Sequence, residues 1–468
     1  MTLPKEFELR MQDMLGEAYP AFLCSCEDRN VSALRVNALK GTREEFLSKT
    51  PFAGLREVLW ESNGFYCDSG QQAGKHPLHE AGVYYIQEPS AMAPAACLDA
   101  RPGERVLDLC AAPGGKTTQI ASSMKNEGLL VCNEIHPARV KILSENVERM
   151  GIRNALVTNE TPGHLAELFG ECFDRVLVDA PCSGEGMFRK NPAAIEEWSP
   201  ENVRLCAARQ DEILDCADAM LRAGGRLVYS TCTFAPAENE GSVARFLERH
   251  PAYELVEVPL LGGMTAGVPQ WAHYGADADI AALRRTVRLF PHLAEGEGHY
   301  LAVLQKAGSV PEGYRRPFPG GTQKGLRGSD VKEFVQFQEE ALRVDLSGGR
   351  ADSLLRYGDR LYLMPEDMPA LNGIKALRPG LQLGTLKRNR FEPSHALALA
   401  LRAHEVRHTM ELYDGSDARA RAYLSGQTLT AEGEKGWHLL TYKGYSIGWG
   451  KLSGQIMKNH YPKGLRKG

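Results

Sequence analysis

The stretch VLDLCAAPGGKT, residues 106–117, determines the fold class of this chain. Its first four residues form a predicted buried strand, residues 110–116 form a glycine-containing loop, and a helix is predicted over residues 117–124. A strand, a glycine loop and a helix in this order let backbone amides approach a nucleotide-like ligand. In an open α/β sheet, ligands bind outside the carboxyl ends of the strands, so we expect the loop to line a ligand crevice.

The alternation of strand and helix continues to about residue 304. Further strands are predicted over residues 129–132, 155–158, 173–178 and 226–229, with the main helices over 137–150 and 199–221. Short apolar strands separated by helices indicate a parallel sheet covered on both faces. Residues 286–289 and 299–304 form a predicted antiparallel hairpin at its edge. The predicted fold class is therefore α/β, a Rossmann-like domain with a mostly parallel sheet.

The length of 468 residues predicts several domains, because a single core rarely grows so large. Residues 1–80 form a predicted small α+β domain, in which LRVNALK (34–40) is a predicted strand with polar residues on one face. Residues 81–306 form the α/β domain, and residues 307–330, rich in Gly, Pro and Arg, form a predicted linker. Residues 331–468 form a C-terminal region whose short, glycine-interrupted strands predict a small β module.

Charge is distributed unevenly, although the net charge is only −4. From Lys435 onward the sequence contains six Lys and one Arg, with no Asp or Glu. Such a basic end matches the phosphate backbone of a nucleic acid, and it equally fits a solubilising tail. Both interpretations stay open at this stage.

The composition is otherwise that of a soluble globular protein, with 43% hydrophobic and 24% charged residues. The eleven cysteines lack the spacing of a small disulfide scaffold, which favours reduced thiols in the cytoplasm. Cys24 and Cys26 have no partner pair at zinc spacing, so we expect no metal site. Residues 1–10 carry interspersed charges and no apolar run approaches ~18 residues, so we expect neither a signal peptide nor a membrane span.

Two cysteines each follow a predicted strand of the sheet. Cys182 lies in DAPCSG (179–184), and Cys232 lies in STCT (230–233). If the two strands are neighbours, their ends are about 4.8 Å apart, and both thiols would face one crevice together with Asp179. Taken singly, each cysteine would more often be a small buried hydrophobic residue, and Asp179 could equally be a turn-capping carboxylate.

The loop 110–116 restricts the kind of cofactor. A phosphate-binding P-loop requires glycine where Cys110 stands, and the dinucleotide pattern G-x-G-x-x-G is absent. What remains is a loop suited to a nucleoside cofactor without a triphosphate. Glu134, at the end of the second strand, is placed to accept hydrogen bonds from ribose hydroxyls, although alone it would more often be a surface carboxylate. S-adenosylmethionine meets these requirements.

A thiolate beside such a cofactor suggests covalent chemistry on a pyrimidine. Addition of sulfur to carbon 6 of cytosine breaks the aromaticity and makes carbon 5 nucleophilic toward a methyl sulfonium. The reaction also requires an acid or hydrogen-bond donor near N3 and a base for the carbon 5 proton. Asp179, Cys182 and Cys232 could supply these groups, but the residues alone do not decide which cysteine is the nucleophile.

The motifs DLCAAPGGKT (108–117), DAPCSG (179–184) and STCT (230–233) together resemble those of the Nol/Nop/Sun RNA cytosine-5 methyltransferases. The resemblance implies a class I methyltransferase domain that uses S-adenosylmethionine. It implies that Cys232 is the nucleophile and that Cys182 assists release of the methylated product. It further implies that Asp179 contacts the cytosine near the methyl donor and that Lys116 interacts with Asp179.

The resemblance also implies a set of cofactor contacts. The loop contacts would come from Cys110, Ala111, Ala112, Pro113, Gly114, Gly115 and Lys116. Glu134 matches the acid that binds ribose, and Asp179 would lie near the methyl donor. The chain departs from the family at one position, because Thr161 stands where an Asp usually contacts the adenine. Asn159 and Glu160 are the alternatives for that contact.

The whole chain more weakly resembles a bacterial branch of this family that acts on ribosomal RNA. Members of that branch have an N-terminal extension and end in a PUA-like RNA-binding module, which GWGK (448–451) and the basic end would match. The resemblance implies methylation of carbon 5 of cytidines in RNA, with 16S ribosomal RNA as the expected substrate and a monomer as the expected state. The alternatives are the same reaction on transfer RNA and a catalytically silent RNA-binding assembly factor.

Overall fold

A mostly parallel sheet with helices on both faces forms the centre of the protein in its computed structural model, which describes residues 2–27, 31–272, 280–311 and 313–466. Successive strand residues alternate between two hydrophobic cores, one on each face. Val106 and Leu130 lie in one core, whereas Leu107 and Val131 lie in the other. Burial on both faces explains why these strands are apolar throughout rather than alternating.

An N-terminal α+β unit precedes this sheet. Its elements are α1 (Lys5–Leu15), α2 (Tyr19–Glu27), β1 (Ala33–Val36), α3 (Arg43–Lys49), β2 (Arg56–Glu57), β3 (Gly64–Tyr66), α4 (Pro77–Glu80) and β4 (Tyr84–Ile86). The four strands form an antiparallel sheet in the order β2-β3-β1-β4. The predicted strand 34–40 therefore ends at Val36, and residues 38–40 form a turn instead. The sheet extends past residue 80, where the domain boundary was predicted.

The α/β unit supplies the elements that position the site. They are α5 (Ala93–Leu98), β5 (Arg105–Asp108), α6 (Gly115–Met124), β6 (Leu129–Asn133), α7 (Arg139–Arg149), β7 (Ala155–Thr158), α8 (Pro162–Phe169), β8 (Phe173–Asp179), α9 (Pro192–Glu197), α10 (Pro200–Met220), β9 (Leu221–Thr231), α11 (Glu240–Arg249), β10 (Tyr253–Leu255), β11 (Met264–Ala266), β12 (Val287–Leu289) and β13 (His299–Lys306). Strand β9 begins directly after α10, so Gly224 and Gly225 lie within a strand, which starts earlier than the predicted residues 226–229.

The C-terminal region contains two smaller sheets and adds one strand to the central sheet. In chain order, its elements are α12 (Lys332–Ala341), β14 (Leu354–Tyr357), β15 (Arg360–Leu363), β16 (Ala376–Pro379), β17 (Leu381–Lys387), β18 (Arg390–Pro393), α13 (His395–Ala400), β19 (Thr409–Glu411), α14 (Ala418–Leu424), β20 (Leu429–Thr430), β21 (Gly436–Tyr442), β22 (Tyr445–Ser453) and β23 (Ile456–Asn459). The sheet orders are β14-β15-β17-β18 and β19-β21-β22-β23-β20. The last sheet is the predicted β module.

The order of the strands in the central sheet determines where the ligand crevice lies. Within the described residues, the central sheet runs β11-β12-β13-β9-β8-β5-β6-β7-β16, with β10 beside β13. Strands β9, β8, β5, β6 and β7 are parallel, and β11 to β13 form an antiparallel edge. The predicted fold class is confirmed. The sequence did not indicate β16, a strand from the C-terminal region that pairs antiparallel with β7.

One hydrophobic cluster joins the two ends of the chain. Leu34 and Tyr84 of the N-terminal sheet share it with Leu440 and Tyr442 of the last sheet. Removal of so many apolar side chains from water, at roughly 25 cal/mol per Å², stabilises both units together. Among the described residues, no helix combines the length and apolar character needed to cross a membrane. All eleven cysteines are free thiols.

Candidate active site

The two motif cysteines meet at the carboxyl end of the sheet. Strands β8 and β9 are parallel neighbours whose register places Asp179 beside Ser230. The loops that follow bring Cys182 Sγ and Cys232 Sγ to 3.3 Å from each other. The convergence expected from adjacent strand ends is therefore present in the structure.

The environment of the two thiols differs. The hydrogen bond to Cys232 and burial both raise the pKa of the Cys182 thiol well above its usual range. Cys182 therefore keeps its proton, and either sulfur of the pair can be the donor of the hydrogen bond between them. A thiol that keeps its proton is a poor nucleophile, and the role of Cys232 as the nucleophile stays a prediction.

Asp179 lies among donors at the end of β8. Its Oδ2 is 2.8 Å from the Lys116 ammonium, and its Oδ1 accepts a hydrogen bond of 2.7 Å from Ser230. His299 Nε2 is 3.6 Å from the same Oδ1. Burial alone would raise the pKa of Asp179, but Lys116 and His299 outweigh it and hold this pKa below its usual range. Asp179 is thus an ionised acceptor facing the crevice.

The loop after β5 begins a helix whose N-terminus faces the same crevice. Gly114 has a φ of +113°, and a Cβ there would lie 3.2 Å from Leu143 Cδ1, so the tight turn requires glycine. The free N–H groups of the first turn of α6 suit a polar or anionic ligand group. Asp108, fully buried beneath the loop, accepts a bond from Thr117 on one oxygen, while its Oδ1 has no partner among the described residues. Burial raises the pKa of Asp108 to about 7.

Glu134 lies at the end of β6, the next strand along the sheet. Its side chain is 4% exposed, one oxygen accepts the N–H of His136, and the other is 3.5 Å from Arg139. That second oxygen has capacity for ribose hydroxyls. The neighbouring Ile135 is 59% exposed and presents an apolar surface that the sequence argument missed. The sequence signal that could have indicated this surface is an isoleucine directly after Glu134, at the end of a predicted strand.

At the position where the family usually has an Asp that contacts adenine, the side chains of this chain already take part in other hydrogen bonds. The Thr161 hydroxyl accepts the N–H of His164 and caps α8. The Glu160 carboxylate accepts bonds from His164 and the Lys375 backbone. The Asn159 amide donates to the carbonyls of residues 134 and 135. The contact to adenine stays a prediction for Thr161, with Asn159 and Glu160 as its alternatives.

Two buried carboxylates hold the Cys182 loop, and the sequence argument found neither. Glu238 accepts hydrogen bonds from the backbone and hydroxyl of Ser183 and from the Gln210 amide. Glu185 accepts a hydrogen bond from the Trp198 indole and forms an ion pair with the Arg10 guanidinium of α1. Burial raises the pKa of Glu238 to about 7. These contacts fix the turn. Glu238 is 55 residues from Ser183 in sequence, and Glu185, although close to Cys182, is held by residues of other elements, so the linear pattern indicates neither role.

The N-terminal sheet also reaches the cofactor loop. Arg35 of β1, 1% exposed, donates to the Gln87 amide oxygen, the Gly115 carbonyl and the Thr118 hydroxyl. Burial lowers the pKa of Arg35 to about 10, so the guanidinium remains charged at neutral pH. The polar face predicted for LRVN is thus turned toward the loop rather than toward solvent.

Family models match four consecutive parts of the chain. The model described as 16S rRNA methyltransferase RsmB/F matches residues 95–305. The N-terminal domain of 16S rRNA methyltransferase RsmF matches residues 3–89, and the RsmF first C-terminal domain matches residues 336–401. The methyltransferase RsmF PUA domain matches residues 411–467.

Named relatives agree over nearly the full length. Ribosomal RNA small subunit methyltransferase F of Shigella boydii serotype 4 is 33% identical, over 99% of this chain and 96% of its own length. The protein of that name from Citrobacter koseri is also 33% identical with the same coverage. Among solved structures, a methyltransferase homolog protein from Pyrococcus horikoshii is 30% identical with a TM-score of 0.57, covering 65% of this chain and 95% of its own.

Proposed function

The chain belongs to the RsmB/F family of 16S rRNA methyltransferases, and from this premise we propose that it methylates carbon 5 of a cytidine through a covalent Cys232–cytosine intermediate. The methyl donor is S-adenosylmethionine. The observation that carries the proposal is the pair of thiols at 3.3 Å beside an ionised Asp179. A nucleophile, a protonated neighbour and a hydrogen-bond acceptor then surround one position.

The residues around the crevice fit the cofactor. S-adenosylmethionine supplies an electrophilic methyl group when it is bound. The unpartnered Asp108 Oδ1 and the second oxygen of Glu134 are buried acceptors that match its amino and ribose hydroxyl donors. The loop Cys110, Ala111, Ala112, Pro113, Gly114, Gly115 and Lys116 would contribute backbone contacts, and the exposed face of Ile135 would cover the adenine.

The chain's own groups, together with one water molecule, can carry the proton and electron shifts. The Cys232 thiol passes its proton to N3 of the cytosine while its sulfur bonds to carbon 6; the carbon 5–carbon 6 electron pair becomes a carbon 4–carbon 5 double bond, and the former carbon 4–N3 pair binds the proton. The ionised Asp179 accepts hydrogen bonds from that N3–H and from the exocyclic amine, which stabilises the adduct. Once carbon 5 is methylated, the carbon 4–N3 double bond re-forms. Water removes the carbon 5 proton, whose electron pair re-forms the carbon 5–carbon 6 double bond as the sulfur–carbon 6 bond breaks. Cys182, which holds its proton, can protonate the departing Cys232 sulfur, and the proton released from N3 returns to Cys182.

Two features separate this proposal from the alternatives. The family models name 16S rRNA and the relatives' names specify small-subunit ribosomal RNA, which favours ribosomal over transfer RNA. The convergence of both thiols with Asp179 and Lys116 favours an active enzyme over a silent assembly factor. The basic strands of the C-terminal module and the N-terminal unit would position the RNA, and the base would be flipped out of its stack to reach the thiol. The predicted domain boundaries, monomeric state and cytoplasmic location remain expectations.

Product identity tests the proposal. The full chain is incubated with S-adenosylmethionine carrying a deuterated methyl group and with 16S rRNA or small ribosomal subunits. Mass spectrometry of the digested nucleosides should show deuterated 5-methylcytidine. Cys232→Ala should abolish it, whereas the control Cys216→Ala, on α10, should not. A label on another nucleoside, or product from Cys232→Ala, would contradict the proposal.

A further inference from the structure

His299 presents a buried ring nitrogen to the catalytic carboxylate. The side chain is 5% exposed, and Nε2 has no hydrogen-bond partner among the described residues. Its nearest charged neighbour is Asp179 Oδ1 at 3.6 Å, somewhat longer than the usual N–H···O separation of about 2.9 Å. Buried polar nitrogens are normally satisfied, so this one indicates a function. Catalytic hydrogen bonds are often long before the substrate binds.

The other ring nitrogen fixes the tautomer. His299 Nδ1 lies 3.1 Å from the Gly298 carbonyl, which can only accept a hydrogen bond, so Nδ1 is assigned the proton in the neutral ring. Nε2 then carries a proton only when the ring is an imidazolium. A charged His299 attracts the Asp179 carboxylate, whereas a neutral His299 turns a lone pair toward it.

The backbone places His299 beside the nucleophile. Tyr300 pairs with Thr231 across β13 and β9, so the next residues outward are His299 and Cys232. The carbonyls of Cys232 and Gly298 also converge, since a Cβ on Gly186 would lie within 3.1 Å of each. The site therefore brackets Asp179 between α6 on one side and the start of β13 on the other.

The charges facing His299 can be assigned element by element. Asp179 comes from β8, and Lys116 of α6 occupies the other carboxylate oxygen at 2.8 Å. Glu297, two residues before His299, is engaged by Arg189 at 2.6 Å and Lys190 at 3.3 Å. Asp179 is thus the anion available to a protonated His299.

We propose that His299, as an imidazolium, is a positioning residue that donates its Nε2–H to Asp179 and holds this carboxylate toward the cytosine. The inference rests on the proposed function, because it assigns Asp179 to the base. Lys116 and Ser230 already contact the two oxygens of this carboxylate, and His299 adds a third contact. Without this donor the carboxylate loses its third contact, and the addition of Cys232 to carbon 6 slows.

Two variants of His299 separate the ring's hydrogen-bond donor from its bulk. His299→Phe keeps a ring without a donor, and kcat should fall about 10- to 100-fold, the effect of a misplaced catalytic group, at unchanged RNA and cofactor affinity. His299→Gln supplies an amide donor and should recover most of kcat. The control His250→Gln, at the end of α11 beside Asp215, should keep the wild-type kcat.

The outcomes separate this inference from the proposed function. Single-turnover methylation is measured for each variant, with thermal unfolding to verify folding. Wild-type kcat in His299→Phe, or no recovery of kcat in His299→Gln, would overturn the role of His299. If Cys232→Ala forms product, the proposed function itself fails, whatever the His299 variants do.

Discussion

At the scale of single residues, the protonation of Glu238 makes the stability of the folded protein depend on pH. Its carboxyl group is fully buried under the Cys182 turn, and burial raises its pKa from 4.5 to about 7. The folded protein therefore binds a proton that the unfolded chain releases above about pH 4.5. The stability that this bound proton contributes is complete below about pH 4.5 and is lost as the pH rises through about 7.

Glu238→Gln should flatten this dependence. The amide keeps an acceptor for Ser183 and Gln210 but does not ionise, so its share of the stability loss between pH 4.5 and 8, on the order of 3 kcal/mol, should disappear. Part of the dependence should remain, because burial also raises the pKa of Asp108 to about 7. Chemical denaturation at pH 5 and pH 8 measures the difference. An equal pH difference in wild type and variant would contradict the assignment.

The residues that sequence could and could not predict differ in a physical way. Cys182, Cys232 and Asp179 follow adjacent strands, and strand ends converge whatever the loops do, so their meeting could be expected. Glu238 and His299 reach the site from elements 50 or more residues from the motif they support. Nothing in a linear pattern states that a buried Glu or His faces a particular turn.

At the scale of elements, β1 holds the cofactor loop. Arg35 ties the start of α6 to the N-terminal sheet through the Gly115 carbonyl and the Thr118 hydroxyl. Arg35→Met would fill the space but leave the Gln87 amide oxygen without its Arg35 donor, which costs about 1–3 kcal/mol, while the Gly115 carbonyl keeps only the Thr118 hydroxyl as a side-chain donor. The helix N-terminus would also lose its fixed position.

Arg35→Met should therefore weaken cofactor binding as well as folding. Calorimetry should show S-adenosylmethionine affinity reduced about tenfold, equivalent to about 1.4 kcal/mol. The control Arg43→Met removes a more exposed ion pair with Glu57 and should change neither quantity by more than about 0.5 kcal/mol. Unchanged cofactor affinity in Arg35→Met would show that β1 does not support the loop.

Periodicity predicted the regular elements well and the irregular ones poorly. Strand β7 covers the predicted residues 155–158, and α7 lies within the predicted helix 137–150. Strand β16 was missed because ALRP carries a proline and a charge, and it forms only against the edge of β7. Pairing with a partner more than 200 residues away is a tertiary effect.

At the scale of the whole molecule, the basic end is part of a folded sheet. Lys451 and Lys458 face each other across β22 and β23, and Lys463 follows; all three are exposed. Strands β21 to β23 also pack against the N-terminal unit, so deleting the end of the chain would remove a core as well as charge. Point substitutions are the cleaner test of an RNA contact.

The triple variant Lys451→Gln, Lys458→Gln and Lys463→Gln should bind RNA more weakly. Each lost phosphate contact reduces the slope of log affinity against log salt by about 0.7–0.9. We expect a smaller slope with unchanged thermal stability and unchanged kcat at saturating RNA. A control triple at exposed Lys5, Lys141 and Lys332 should keep the wild-type slope. An unchanged slope in the first triple would favour a solubilising role for these lysines.

The most direct test of the account is to trap the bond between protein and RNA. Cys182→Ala, incubated with S-adenosylmethionine and 16S rRNA and then denatured, should retain RNA in a covalent complex, because release of Cys232 is impaired. Peptide mapping should place the adduct on Cys232. Cys232→Ala should form neither complex nor 5-methylcytidine. An adduct on another residue, or methylated product from Cys232→Ala, would contradict the central claim.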